Sequence, residues 1–279
     1  MAHVQARDGT SIHYDDWGAG PPVVLIHGWP VHADMWEYQA GHLVDAGYRV
    51  VSYDRRGFGR SGRPWTGYDY DTMTDDLATL IEHLDLTGAT LVGFSMGGGE
   101  VARYAARDTA RDTARTTARV AKVVFLSAVC PFLLQTPENP SGVDRATFDQ
   151  MIEGLEADRP HFLAAFGRAF YGAGLLNFSV SAELLQWTSM MALTASKRAT
   201  LECVRAFSET DFRGELARID IPALVIHGTA DQIVPIDASG RLTARLLPNA
   251  TLIEYDGAPH GLYFTEQDRL NTDLVDFIR

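Results

Sequence analysis

The strongest constraint on this chain is a recurring alternation. Short, uninterrupted apolar runs (PPVVLIHG, RVVSYD, TLVGF, AKVVFLSAV) are each separated from the next by a stretch with helical spacing, and the pattern returns late with PALVIHG and ATLIEYDG. A half-solvated strand alternates polar with apolar residues. These runs do not, so each predicts a strand buried on both faces. Strand–helix alternation of this kind predicts an α/β protein whose mostly parallel sheet is covered by helices on both sides. Helices are expected near 35–45, 71–84, from 96 onward, and near 237–247 and 271–278. Ahead of the alternation, HVQARDGTSIHYDDW reads as a hairpin turning at Asp8-Gly9.

The alternation stops after Val129 and resumes at Asp220. Between them lie only helix-like stretches and loops such as TPENPSG. Residues 1–129 and 220–279 are therefore expected to form one core, with 130–219 inserted as a helical cap. Phe162, Phe166 and Phe170 fall at i, i+4 and i+8, on one helix face. Such a stripe serves as a core anchor or as an apolar pocket wall, and the two roles are compatible. ARDTARDTARTTAR, residues 106–119, repeats every four residues and reads as a solvated extension of the preceding helix. Asp108 and Asp112 stand three residues before Arg111 and Arg115, a spacing that suits side-chain pairing.

With 279 residues the chain can bury a sizeable core in one domain. A formal net charge of −12 argues against nucleic acid as a partner. No apolar run approaches a membrane span, and MAHVQARDGT carries no apolar leader segment, so no membrane association and a cytoplasmic location are expected. Cys130 and Cys203 cannot build a disulfide framework and read as buried thiols. Neither a metal-ligand motif such as H-E-x-x-H nor a phosphate-binding G-x-x-x-x-G-K-[ST] loop occurs.

GFSMGGGE, residues 93–100, places a serine between glycines just after one expected strand and just before a helix. In that context G-x-S-x-G describes a nucleophile elbow, a turn sharp enough to leave the Ser95 hydroxyl exposed. Gly93 and Gly97 are expected where a Cβ would clash across the turn. The helix behind Ser95 aims free N–H groups and the positive end of its dipole at developing negative charge. A serine hydroxyl needs a base to become a nucleophile. Among the histidines, His27 and His227 end strands in His-Gly pairs and read as structural. His83 lies on a helix, and His3, His13, His32, His42 and His161 lie in peripheral or inserted segments. His260, in the loop after the last strand, is the expected base. Asp231, just beyond ALVIHG, is the expected acid that orients it. Oxyanion donors are expected at the backbone N–H of Met96 and of Trp29, with Pro30 constraining the chain beside Trp29.

With those residues in place the chain resembles the α/β-hydrolases grouped as cofactor-free bacterial haloperoxidases, perhydrolases and arylesterases. The resemblance spans nearly the whole sequence through DGTSIHYDDWG, HGWPVHADMWEYQ, YDRRGFGRSGRPWTGYDYDTMTDDL, GFSMGGGEVARY, AFSETDF, HGTADQIVP and APHG. It implies an eight-stranded, mostly parallel sheet with a helical cap. It also implies a Ser95–Asp231–His260 triad, an oxyanion hole from Trp29 and Met96, and no cofactor. Matched pocket positions are Phe94, Val129, Phe166, Phe170, Ile233 and Val234, with Pro30 beside them. The implied activity is hydrolysis of small acyl or aryl esters through an acyl-enzyme that hydrogen peroxide also attacks, forming a peracid that oxidises halide. The Trp29-Pro30 pair has the form found in perhydrolytic members. Relatives that open lactams or transfer acyl groups use the same chemistry, and a few relatives of the fold only bind ligands. The partner implied is a small-molecule ester. Homo-oligomers are frequent among relatives. The 106–119 repeat and Cys130, beside Val129, depart from the usual pattern.

Overall fold

A computed structural model describes residues 2–111, 118–174 and 180–279 of the chain. Its strands are β1 (Ala2–Gln5), β2 (Ser11–Trp17), β3 (Pro22–Ile26), β4 (Arg49–Tyr53), β5 (Ala89–Phe94), β6 (Val120–Leu126), β7 (Ala223–Gly228) and β8 (Ala250–Tyr255). They form one eight-stranded sheet in the order β1-β2-β4-β3-β5-β6-β7-β8. β2 pairs antiparallel with both of its neighbours, and every other pairing in the sheet is parallel. The Asp8-Gly9 hairpin joins β1 to β2, with Gly9 at φ +84°.

The helices are α1 (Glu37–Asp45), α2 (Tyr70–His83), α3 (Gly97–Arg111), α4 (Arg145–Phe170) and α5 (Ala182–Thr194). They continue with α6 (Lys197–Glu209), α7 (Arg213–Leu216), α8 (Gly240–Leu246), α9 (Leu262–Thr265) and α10 (Gln267–Ile278). Successive strand residues point to opposite faces, and the two cores follow that rule. Val24, Ile26, Leu91, Val123 and Val225 pack with α2 and α3. Val23, Leu25, Val92, Val124 and Leu224 pack with α1 and α10. This two-sided burial is why the apolar runs are continuous. The chain is thus an α/β protein with a mostly parallel, helix-flanked sheet.

β8 differs from the expected doubly buried strand: of its residues only Tyr255 is fully buried. It is the last strand in the sheet, with β7 on one side alone. Between β6 and β7 no strand of the sheet occurs among the described residues; α4, α5 and α6 lie there, α4 packing on both of the others. The α4 axis breaks at Asp158, whose φ of −151° and ψ of 86° are not helical. Asp158 accepts a hydrogen bond from the His161 amide at 3.0 Å, restarting the helix just beyond the break.

The helix behind Ser95 does not run to residue 119, as the repeat suggested. α3 is described over Gly97–Arg111, and residues 118–119 are non-helical. The Asp108 carboxylate accepts the amides of Arg119 and Val120 at 3.3 and 3.1 Å, turning the chain into β6. Arg103 and Arg107 pair with Glu215, Asp71 and Asp75 on neighbouring elements rather than along their own helix. The Asp112–Arg115 pair lies outside the described residues. Cys130 and Cys203 are free and buried.

Candidate active site

In parallel strands every C-terminal end lies along one edge of the sheet, where β5, β7 and β8 bring Ser95, Asp231 and His260 together. Ser95 follows β5 directly and holds φ at +52°, a left-handed conformation that non-glycine residues rarely adopt. Its amide donates to Leu126 O at 2.9 Å and its carbonyl accepts from Val129 at 3.2 Å, so β6 and the segment after it hold the turn in place. The flanking glycines are sterically required. A Cβ on Gly93 would lie 2.6 Å from Gly97 O, and one on Gly97 would lie 2.5 Å from Ile26 O.

His260 sits between β8 and α9. Its Nε2 lies 3.0 Å from Ser95 Oγ, and its Nδ1 lies 2.7 Å from Asp231 Oδ2. All three side chains are buried. Asp231 follows β7, and its other oxygen accepts the amides of Ile233 and Val234 at 2.9 and 2.8 Å. Burial alone would raise the Asp231 pKa. Coulombic attraction to His260 and hydrogen bonds from His227 and His260 outweigh it and hold the carboxylate well below its usual range. An ionised Asp231 makes Nδ1 the donating nitrogen and leaves Nε2 free to accept the Ser95 proton.

Trp29 follows β3 and is joined to Pro30 by a cis peptide bond. Its indole N–H donates to Thr200 O on α6 at 3.1 Å, and its ring packs edge-on against Phe166 and Phe207. Among the described residues, no group accepts the backbone N–H of Trp29 or of Met96.

Ser95 opens onto an enclosed cavity of about 40 Å³, lined by Trp29, Val129, Phe166, Ile233 and Val234 among others. Pro30, Phe94 and Phe170 do not line it. Phe94 and Phe170 instead pack around His260, their ring centroids 5.0 and 4.9 Å from the imidazole. The reason is their place in the fold: Phe94 points to the face opposite the cavity, and Phe170 ends α4 where its carbonyl accepts the Gly261 amide at 2.7 Å. The phenylalanine stripe therefore divides its roles. Phe166 is a cavity wall and Phe170 a packing surface for the histidine loop. Sequence reasoning missed Leu133, Val143, Phe148, Met151 and Phe207, which complete the apolar lining. Phe148 and Met151 are one helical turn apart on α4, a spacing that was available as a signal.

His27 Nδ1 lies 2.7 Å from Gly28 O, while His227 Nε2 lies 2.8 Å from Val234 O and 3.2 Å from Asp231 Oδ2, against the carboxylate that also faces His260. His13 and His32, expected at the periphery, are buried. Among the described residues no cluster of histidine, cysteine, aspartate or glutamate is disposed to hold a metal ion. Nor is any helix among them long and apolar enough to cross a membrane.

Residues 21–267 match the family model described as alpha/beta hydrolase fold. A non-heme chloroperoxidase of Streptomyces lividans is 45% identical over the whole of both chains. A bifunctional esterase/perhydrolase of Acinetobacter calcoaceticus is 39% identical, again over both full lengths. The crystal structure of a bromoperoxidase from Bacillus anthracis superimposes with a TM-score of 0.91 at 45% identity, covering 99% of each chain.

Proposed function

The chain belongs to the α/β-hydrolase fold family, and we propose that it is a serine-dependent carboxylic ester hydrolase that also passes its acyl group to hydrogen peroxide. One observation carries the first half of this reading: a buried Ser95–His260–Asp231 line, with gaps of 3.0 and 2.7 Å, at the wall of an apolar cavity. The relatives named as haloperoxidases and as an esterase/perhydrolase support the second half.

In the proposed reaction Ser95 Oγ attacks the ester carbonyl while His260 Nε2 takes its proton. Asp231 stabilises the imidazolium so formed. The carbonyl oxygen becomes an oxyanion held by the amides of Met96 and Trp29. Collapse of the tetrahedral intermediate breaks the bond to the leaving oxygen, which departs as an alcohol or phenol with the proton from His260. The acyl-enzyme remains. Water then attacks it, giving a carboxylic acid, or hydrogen peroxide attacks it, giving a peracid; in each case His260 takes the attacking proton and returns it to Ser95. A released peracid oxidises halide away from the site. Residues 130–219 act as the cap whose helices wall the acyl cavity.

The test uses aryl esters of rising acyl length, hydrolysed with and without hydrogen peroxide. The proposal expects turnover of p-nitrophenyl acetate, and peracid formation with short carboxylic esters once peroxide is added. Absence of both, in protein whose fold is intact by circular dichroism, would contradict it.

A further inference from the structure

A second buried cluster lies behind the oxyanion loop, away from the acyl cavity. Glu100 on α3 is fully buried, and Arg55, just after β4, is 1% exposed. Arg55 Nε donates to Glu100 Oε2 at 2.8 Å, Nη2 contacts the same oxygen, and the Tyr53 hydroxyl donates to Oε1. Arg55 Nη2 also donates to His27 O at 2.8 Å, and its backbone N–H donates to His27 Nε2 at 2.9 Å. His27 Nε2 is therefore an acceptor, and the ring proton resides on Nδ1, which donates to Gly28 O at 2.7 Å. Arg55 Nη1 approaches the same Nδ1 at 3.3 Å, a longer contact that a protonated nitrogen cannot accept.

The Gly28 carbonyl and the Trp29 N–H belong to one planar, trans peptide unit, so they point in opposite directions. Fixing Gly28 O on one side fixes the Trp29 N–H on the other. A buried ion pair contributes little net stability against an apolar replacement, so stability alone does not account for this one.

We propose that the Arg55–Glu100 pair is a positioning unit: acting through His27, it aims the Trp29 amide at the oxyanion and ties that amide to the helix that begins behind Ser95. The inference rests on the serine ester hydrolysis proposed above. Burial and the Arg55 charge hold His27 well below its normal pKa, so the ring remains neutral and keeps one accepting nitrogen.

The experiment compares Arg55→Lys and Glu100→Gln with Asp76→Asn, which disturbs the neighbouring buried Arg56–Asp76 pair and has no contact with the oxyanion loop. Active sites are counted by fluorophosphonate labelling. For Arg55→Lys and Glu100→Gln, kcat per labelled site is expected to fall by about tenfold to a hundredfold with KM nearly unchanged. Affinity for an aryl trifluoromethyl ketone, whose hemiketal oxygen occupies the oxyanion position, is expected to fall by the same factor. Asp76→Asn is expected to retain kcat per labelled site. Wild-type kcat and ketone affinity per labelled site in both Arg55→Lys and Glu100→Gln would overturn the inference, as would an equal loss in Asp76→Asn.

A measurement on the unaltered protein does not depend on those variants folding. In histidine labelled with nitrogen-15, the His27 ring, assigned through its contact with Phe58, should carry its proton on Nδ1. A proton on Nε2 overturns the proposal. Failure of the unaltered protein to react with the fluorophosphonate points instead to failure of the underlying hydrolase reading.

Discussion

Gly28 passes so close to the elbow that a methyl group on its Cα would lie 3.0 Å from Ser95 Cβ and 2.6 Å from Phe94 Cδ1. The oxyanion loop and the nucleophile turn are thus packed backbone against side chain, with no room for a Cβ. Gly28→Ala must push the loop outward or displace the buried Phe94 ring and, with it, the turn at Ser95. Overpacking of this kind costs about 1–3 kcal/mol, and a shift near 1 Å in the Trp29 amide costs up to about a hundredfold in rate. Initial rates per labelled site, with thermal unfolding alongside, check this. A fully active Gly28→Ala would contradict the placement of Trp29 as an oxyanion donor.

Asp231→Asn separates orientation from packing. The asparagine fills the same space yet presents a group that no longer specifies the donating nitrogen of His260. We expect kcat to fall on the order of a thousandfold or more, with the fold retained. A loss under about tenfold would remove Asp231 from its proposed role.

The acyl cavity holds about 40 Å³, enough for a small acyl group and little more. Met151 and Phe148 form part of its wall. Met151→Ala should lengthen the acyl group accepted. The ratio of kcat/KM for p-nitrophenyl butyrate over acetate is expected to rise about tenfold or more. An unchanged ratio would place the acyl group elsewhere.

The central strands and the positions at their ends were legible because burial on two faces leaves an unbroken apolar signature, and because chain order places Ser95, Asp231 and His260 after β5, β7 and β8. The helical segment between β6 and β7 was legible only as a gap in the pattern. Its contribution to the cavity depends on how α4 breaks at Asp158 and packs on α5 and α6, a tertiary outcome with no local code. For the same reason Phe94 and Phe170 were assigned to the pocket although they pack on His260. The repeat carries helical spacing throughout, so its non-helical close at residues 118–119 was not legible. The Asp108 carboxylate accepts amides eleven and twelve residues on, a contact that periodicity does not register.

Asp54 gives a pH dependence of stability. Burial would raise its pKa, but hydrogen bonds from the Arg60 side chain and amide outweigh burial and lower it to about 2. A carboxylate whose pKa is depressed on folding contributes stability above its unfolded pKa, near 3.8. That contribution, roughly 2 kcal/mol, is lost as pH falls from about 4 towards 2. Unfolding midpoints measured across this range should drop for the unaltered protein and drop less for Asp54→Asn. Equal slopes would show that another group controls acid unfolding.

The central claim is that Ser95 carries the acyl group. Rapid acid quenching of the protein during p-nitrophenyl acetate turnover, followed by peptide mass spectrometry, tests it directly. The account predicts one acetyl group on the peptide containing Ser95, lost faster when hydrogen peroxide is present and absent in Ser95→Ala. Turnover of the ester by Ser95→Ala at the unaltered rate, or acetyl found only on other residues, would contradict it.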